Sequence, residues 1–96
     1  MVITILEAKV ESDKQSLLKI AYSKAVANLD KGIVETFLVS DALDNNVWRI
    51  MTVWKDREAL SAMRFSGEIP KGVLIFKEAG VEPVLTLLGV AAYAHA

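Results

Sequence analysis

Residues 47–63, with the sequence VWRIMTVWKDREALSAM, decide the fold of this chain. The first half of the stretch, as far as Trp54, is rich in β-branched and aromatic residues, which is typical of a strand. Asp56 then stands where a helix N-cap is expected, and Leu60 and Met63 lie on one helical face. A strand that passes directly into a capped helix indicates a domain in which helices pack on a sheet.

The segments before this stretch predict two more strands. Ile33–Ser40 is a second strand-like run, and the loop at residues 41–46 (DALDNN) is rich in side chains that bond their own backbone, so the pair reads as a hairpin. Residues 2–10 are also rich in β-branched residues. A last strand is expected from Val81 onwards, with the apolar sequence VLTLLGVAAYA at residues 84–94.

Three helices separate and follow these strands. Ser12 and Gln15 form a capping box before the first helix, which we expect to end at Gly32. The second helix begins after Asp56, and the third begins near Pro70. The glycines at positions 67 and 80 are expected to close them.

The order β-α-β-β-α-α-β predicts a ferredoxin-like α+β sandwich with an antiparallel sheet, formed by one domain over residues 1–96. Its strands are apolar at both odd and even positions, although the strands of a sheet with one solvent-exposed face should alternate between apolar and polar residues. The chain is 53% hydrophobic, more than one small core needs. We therefore expect two sheets to pack face to face in a homodimeric α/β barrel.

Composition also excludes several classes of partner. The net charge is −1, from 11 basic and 12 acidic residues spread along the chain, so neither a nucleic acid nor a membrane is an expected partner. There is no cysteine, which excludes disulfides and thiolate metal sites. The amino end lacks the basic region and cleavage site of a signal peptide, and we expect a cytoplasmic protein.

The strand-to-helix junction at residues 51–60, MTVWKDREAL, resembles that of the antibiotic biosynthesis monooxygenase (ABM) domains, which are dimeric α/β barrels. The resemblance covers nearly the whole chain. It implies cofactor-independent oxidation of an aromatic or polyketide-like small molecule, with Trp54 supporting the substrate-derived oxyanion or radical. Ile50 and Leu60 stand where such members carry an Asn and a Tyr, so the proton relay of that site is not expected here.

Haem-degrading proteins of the same fold carry an Asn, a Trp and a His where this chain has Glu7, Met63 and Val73. Haem degradation is therefore disfavoured. Because no glycine-rich phosphate loop and no cluster of metal ligands is present, no cofactor and no metal are predicted.

Three residues are candidate catalytic groups. Trp54 ends a central strand and serves either as core or as a pocket wall. Arg49, in the middle of the same strand, needs an acidic partner such as Glu7 or Glu35, or else an anionic ligand. Glu7 would act as a general base if burial raised its pKa.

Three further residues are candidate substrate contacts. Tyr22 lies on the inner face of the first helix, Trp48 has the parity of Trp54, and Met63 lies on the short helix. The single histidine, His95, lies next to the C-terminus and is expected to be exposed.

Two functions of different classes stay open. The first is a cofactor-independent monooxygenase with an apolar cavity beside Trp54. The second is a non-catalytic dimeric protein that binds a small ligand or has an accessory role. Among enzymes, an isomerase or cyclase acting on a small acidic metabolite is the runner-up, and it requires Arg49 and Glu7 to converge on one cavity.

Overall fold

Four strands and three α-helices follow one another in the order β-α-β-β-α-α-β that the sequence predicts. The computed structural model describes residues 1–96. A single turn of 3₁₀ helix, Ser12–Lys14, precedes the first α-helix. The elements are β1 (Val2–Lys9), α1 (Gln15–Val26), β2 (Ile33–Ser40), β3 (Val47–Trp54), α2 (Arg57–Arg64), α3 (Lys71–Glu78) and β4 (Val84–Gly89).

The strands form one sheet in the order β2-β3-β1-β4, and every neighbouring pair is antiparallel. The two strands in the middle, β3 and β1, are not consecutive in sequence, so the chain crosses over through its helices. This order and pairing confirm the predicted ferredoxin-like α+β fold.

Successive side chains of β3 point to opposite faces of the sheet. Trp48, Ile50 and Trp54 are buried under the helices, and Thr52 lies on the same face. Arg49 alternates with them and points to the other face. The helices therefore cover one face of the sheet, which holds the core.

Two clusters make up this core. In the larger one, Leu18 from α1 and Phe76 from α3 pack on Trp48 and Ile50. In the smaller one, Leu60 from α2 packs on Trp54 and Val2. Full burial of one large apolar side chain contributes about 1.5 to 3 kcal/mol, so these contacts hold the three helices on the sheet.

The other face of the sheet is uncovered in the single chain and is largely apolar. We call it the open face. Phe37 in β2 lies beside Met51 in β3 across the strand pair, and Leu88 in β4 lies beside Ile3 in β1. The side chains of Phe37 and Leu88 are 45% and 44% exposed. Apolar surface of this kind is typical of an interface between subunits.

The start of α1 differs from the prediction, because the capping box does not form. Ser12 opens the 3₁₀ turn without a side-chain cap. The amide of Gln15 instead donates to the carbonyls of Val10, at 3.0 Å, and Asn45, at 3.1 Å. Gln15 thus ties the first helix to the β2–β3 loop rather than capping its own backbone.

Three predicted element ends were also wrong. Helix α1 ends at Val26 and not at Gly32, since the following Asn28 and Asp30 favour turns over helix. Strand β4 begins at Val84 and not at Val81, and it ends at Gly89, so that residues 90–96 form no regular element. The end of α3 is as predicted, because the Gly80 N–H donates to the carbonyl of Lys77 at 2.9 Å.

No helix in the structure has the length and apolar character that crossing a membrane requires.

Candidate functional site

A row of three threonines crosses the helix-covered face of the sheet. Thr52 in β3 lies directly opposite Thr36 in β2 and Thr4 in β1. These are hydroxyls on a face that otherwise carries mainly apolar side chains. Hydroxyls that face a core cost free energy unless they are hydrogen-bonded, so their partners indicate what the row does.

Tyr22 extends the row into a chain of three hydroxyls. Its O–H donates to Thr36 Oγ1 at 3.4 Å, and Thr36 Oγ1 lies 3.3 Å from Thr52 Oγ1. Three hydroxyls carry three protons, but the two bonds between them use only two. One O–H of the chain is therefore left to donate to another group, and the remaining lone pairs can accept.

Trp54 lies beside this chain and has already used its polar atom. Its side chain is only 3% exposed, and its indole Nε1–H donates to Thr4 Oγ1 at 3.1 Å. Indole has a single donor and no acceptor, so Trp54 offers a ligand only ring surface. The residue is both part of the core and the wall of a cavity.

A small cavity lies where these groups meet, between α1 and α3 on one side and β2 and β3 on the other. We call it the cleft; its volume is about 60 Å³. The hydroxyl chain and Trp54 line it together with apolar side chains from all four elements. The principal lining residues are Tyr22, Leu29, Thr36, Ile50, Thr52, Trp54 and Ile75.

A wider groove of about 240 Å³ adjoins the cleft, and we call it the outer groove. Met63, Ser66 and Pro70 line the outer groove alone, whereas Asp30 and Lys71 line both spaces. The two shared residues therefore mark the mouth of the cleft. The Lys71 ammonium group lies 3.4 Å from Asp30 Oδ1 and donates to the carbonyl of Asn28.

Arg49 and Glu7 lie together, but on the open face of the sheet and away from the cleft. Arg49 Nε donates to Glu7 Oε1 at 2.5 Å, and Arg49 Nη1 donates to Asp41 Oδ2 at 2.9 Å. The predicted partner Glu7 is thus confirmed, whereas Glu35 lies opposite Val53 and takes no part.

These bonds shift two pKa values. The Leu43 backbone N–H and the Arg49 guanidinium donate to Asp41 and lower its pKa below the usual 3.8. The carboxylates of Asp41 and Glu7 raise the pKa of Arg49. Both shifts favour the charged forms, so the three side chains form a stable ionic cluster.

The other predicted contacts are spread over the molecule. Tyr22 lines the cleft. Trp48 is buried in the larger core cluster, with its indole N–H on the carbonyl of Asn45 at 3.1 Å. Met63 lines the outer groove, and His95 is exposed near the C-terminus. The structure has no group of three His, Asp or Glu side chains placed to share a metal ion.

Four residues of the site were not identified from the sequence: Thr36, Thr52, Asp30 and Lys71. Thr52 carried a usable signal, because it has the same parity as Trp54 along β3. Thr36 carried none, since a bulge between Ile33 and Glu35 shifts the alternation of β2. Asp30 and Lys71 meet only through the tertiary fold.

The positions that the family resemblance singled out also fall near the cleft. Ile50 lines it, and Leu60 is buried against Trp54 in the smaller core cluster. Hydrocarbon thus fills both places where ABM members carry polar groups. The polar groups of this cleft come instead from Tyr22, Thr36 and Thr52.

Several solved structures have the same fold. A Deinococcus radiodurans protein, provisionally named an antibiotic biosynthesis monooxygenase, is 14% identical over 100% of this chain and 98% of its own, with a TM-score of 0.73. Rv0793 from Mycobacterium tuberculosis is 20% identical over 98% of both chains, with a TM-score of 0.66. NE2512 from Nitrosomonas europaea, of unknown function, is 12% identical over 99% of this chain and 93% of its own, with a TM-score of 0.72.

Neither a protein-family model nor a curated protein matches the chain. At these identities the likeness is one of fold. It agrees with the strand-to-helix junction at residues 51–60, which carried the resemblance. The chain has the α+β fold of solved structures that are named antibiotic biosynthesis monooxygenases.

Proposed function

We propose that this protein is a homodimeric, cofactor-independent monooxygenase that acts on an aromatic or polyketide-like small molecule. The observation that carries the proposal is the convergence of the Trp54 ring and the hydroxyl chain of Tyr22, Thr36 and Thr52 on one cleft. The fold shared with proteins named antibiotic biosynthesis monooxygenases supports this class of reaction.

An anthrone illustrates the chemistry that such a cleft serves. Loss of one proton from its central carbon gives a delocalised oxyanion, and dioxygen then adds to that carbon. The peroxide takes up a proton and loses water, which leaves a carbonyl group. The unused O–H of the hydroxyl chain would donate to the oxyanion. Because negative charge develops on that oxygen, a fixed donor there lowers the activation barrier of the reaction.

The apolar walls have a separate role in this scheme. Trp54, Ile50 and Ile75 would hold the ring system and exclude water from the reacting carbon. A cleft of about 60 Å³ is smaller than the roughly 300 Å³ at the lower end of small-molecule sites. The ligand must therefore also occupy the adjoining outer groove, whose volume of about 240 Å³ makes up the difference.

The homodimer is part of the proposal and uses the open face of the sheet. Phe37 and Leu88 would be buried there, and the cluster of Arg49, Glu7 and Asp41 would lie at the border of the contact. Since Arg49 is already paired with both carboxylates, the cluster can approach a partner at a lower desolvation cost than three separate charges. Arg49 and Glu7 are therefore proposed to act in assembly.

A non-catalytic dimeric binding protein is the second candidate. The small volume of the cleft favours it, and so does the pairing of its only carboxylate, Asp30, with Lys71, because that carboxylate is then engaged in an ion pair and not free to take a proton from the ligand. The isomerase alternative has less support, since both carboxylate partners of Arg49 leave little of its guanidinium for an acidic substrate.

Oxygen uptake with anthrone as the probe distinguishes these candidates. We expect the protein to raise uptake above autoxidation and to consume one O₂ for each anthraquinone formed. Thr52→Val removes a hydroxyl without changing the shape of the cleft, and we expect it to lower kcat about 10- to 100-fold. The matched control is Thr86→Val, which makes the same change on the open face of β4.

Each outcome of this assay has a separate meaning. Equal rates for wild type and Thr52→Val would remove the hydroxyl chain from the mechanism. Binding of anthrone by calorimetry without oxygen uptake would establish the non-catalytic alternative. If anthrone and smaller phenols neither bind nor react, the proposed function is wrong.

A further inference from the structure

Lys71 is the only cation that lines the cleft, and Asp30 is the only anion. Their side chains meet at the mouth, where the ammonium group lies 3.4 Å from Asp30 Oδ1. Because both residues also line the outer groove, the ion pair lies between the two spaces. A ligand that fills both spaces has to pass or replace this pair.

The position of Lys71 is not explained by the stability of its helix. Lys71 is the first residue of α3, and a cation in the first turn opposes the helix dipole. The ion pair is also partly open to solvent, with 41% of the Lys71 and 34% of the Asp30 side chain exposed. Such a pair contributes little to folding, about 0 to 1 kcal/mol, and exchanges partners at low cost.

The ammonium group keeps some bonding capacity. It has three N–H donors, of which one is used on the carbonyl of Asn28 and one is directed towards Asp30. The cation of Arg49 lies on the other face of the sheet and cannot take part. Lys31 lines the outer groove alone, so Lys71 is the one cation that a ligand can reach from both spaces.

We propose that Lys71 recognises an acidic substituent on the ligand, and that Asp30 occupies the ammonium group until this ligand arrives. The inference rests on the proposed function, because it concerns the same cleft. The ligand class is then a hydroxylated aromatic acid. Its ring lies against Trp54, its hydroxyl or carbonyl bonds the hydroxyl chain, and its carboxylate replaces Asp30 on Lys71.

Calorimetric titration with two matched probes tests this exchange. The probe 3-hydroxy-2-naphthoate carries the carboxylate, and 2-naphthol lacks it. Lys71→Met keeps the length of the side chain but removes the charge, and we expect it to weaken binding of the carboxylate probe about tenfold while binding of 2-naphthol is unchanged. Asp30→Asn removes the competing anion and should tighten binding of the carboxylate probe several-fold.

Lys77→Met is the matched control. Lys77 lies in the last turn of the same helix and faces Glu82 at 3.8 Å, away from the cleft. It should leave the affinities for both probes unchanged. Melting temperatures of all variants check that the helix is still packed on the sheet.

The outcomes separate this inference from the proposed function. If wild type binds both probes equally and Lys71→Met changes neither, the cleft takes aromatic ligands but Lys71 does not select acids. If Lys71→Met weakens binding of both probes equally and lowers the melting temperature, the role of Lys71 is only to hold α3 on the sheet. If wild type binds neither probe, this inference fails, whereas the proposed function is still decided by oxygen uptake with anthrone.

Discussion

Asp41 organises both the β2–β3 loop and the charge of the open face. Its Oδ1 accepts from the backbone N–H of Leu43, at 2.8 Å, and of Asp44, at 3.2 Å. Its Oδ2 accepts from Arg49. One carboxylate thus closes a hairpin loop and places a guanidinium, and all three bonds require its charged form or are strengthened by it.

Acid should therefore weaken the folded state through Asp41. The pKa of this carboxyl is lower in the folded than in the unfolded chain. At a pH between the two pKa values, the unfolded chain therefore binds more protons than the folded chain. Its contribution is present above the unfolded value of 3.8 and is lost as the pH falls through the folded value. Asp41→Asn should be less stable than wild type at neutral pH, and the difference should shrink in acid.

Urea unfolding at about pH 7, 4 and 2.5 measures this difference. Asp13→Asn, which removes a carboxylate outside the Arg49 cluster, is the control and should follow the wild-type profile. A difference between Asp41→Asn and wild type that stays constant with pH would show that the carboxylate contributes through its shape and not through its charge.

At the scale of the elements, the start of β2 and the start of α2 meet at one glycine. Gly32 has a φ of +91°, and its carbonyl accepts from the Lys55 N–H at 2.8 Å. A Cβ built on Gly32 would lie 2.4 Å from Cβ of Ala59. The contact brings α2 close to the edge strand and fixes one wall of the outer groove, which Ala59 also lines.

Gly32→Ala should accordingly cost more stability than the same change at a free turn. Gly67 has a similar φ of +82° and nothing within 4 Å of its Cβ position, so Gly67→Ala reports backbone strain alone, about 1 to 2 kcal/mol. The clash with Ala59 should add about 1 to 3 kcal/mol for Gly32→Ala. Chemical denaturation of both variants gives the comparison.

A double variant isolates the clash. Ala59→Gly by itself should cost about 1 kcal/mol, because glycine disfavours helix. Combined with Gly32→Ala, it should restore most of the free energy of unfolding that the clash removes, and the coupling energy between the two sites should be favourable. Additive effects would mean that α2 moves away freely and that the contact does not hold it.

The bounds of the helices and strands could be predicted from the sequence more accurately than the contacts between them. The bounds of β2 and β3 follow from β-branched runs around a polar loop, and the Asp56 cap is present, accepting from the Ala59 N–H at 2.8 Å. The hydroxyl chain was not predictable, because it depends on which residue of β2 lies opposite Thr52. Register between strands is a property of the folded sheet.

At the scale of the whole molecule, the open face accounts for the apolar surplus in the composition. A sheet whose second face stays apolar needs a cover, and in the proposed homodimer a second copy would supply one of matching shape and size. The helix side also exposes apolar groups, with Ile20 on α1 at 53%, so the two surfaces have to be distinguished by experiment.

A lysine introduced on each apolar surface in turn distinguishes the two. Phe37→Lys places an ammonium group on the open face, and we expect it to shift the protein from dimer to monomer in sedimentation equilibrium. Ile20→Lys makes a similar change at a similar exposure on α1 and should remain dimeric. A monomer from Ile20→Lys and a dimer from Phe37→Lys would place the contact on the helices instead.

The alternation along β3 has a consequence for how this protein can change over generations. Trp48, Ile50, Thr52 and Trp54 occupy one parity, and Val47, Arg49, Met51 and Val53 occupy the other. Point substitutions at even positions can therefore change the proposed ligand site while the odd positions keep the proposed dimer contact, and the reverse also holds. Insertion of one residue within β3 would move the side chains that follow it to the opposite face of the sheet. The strand therefore tolerates substitutions but not a change in length.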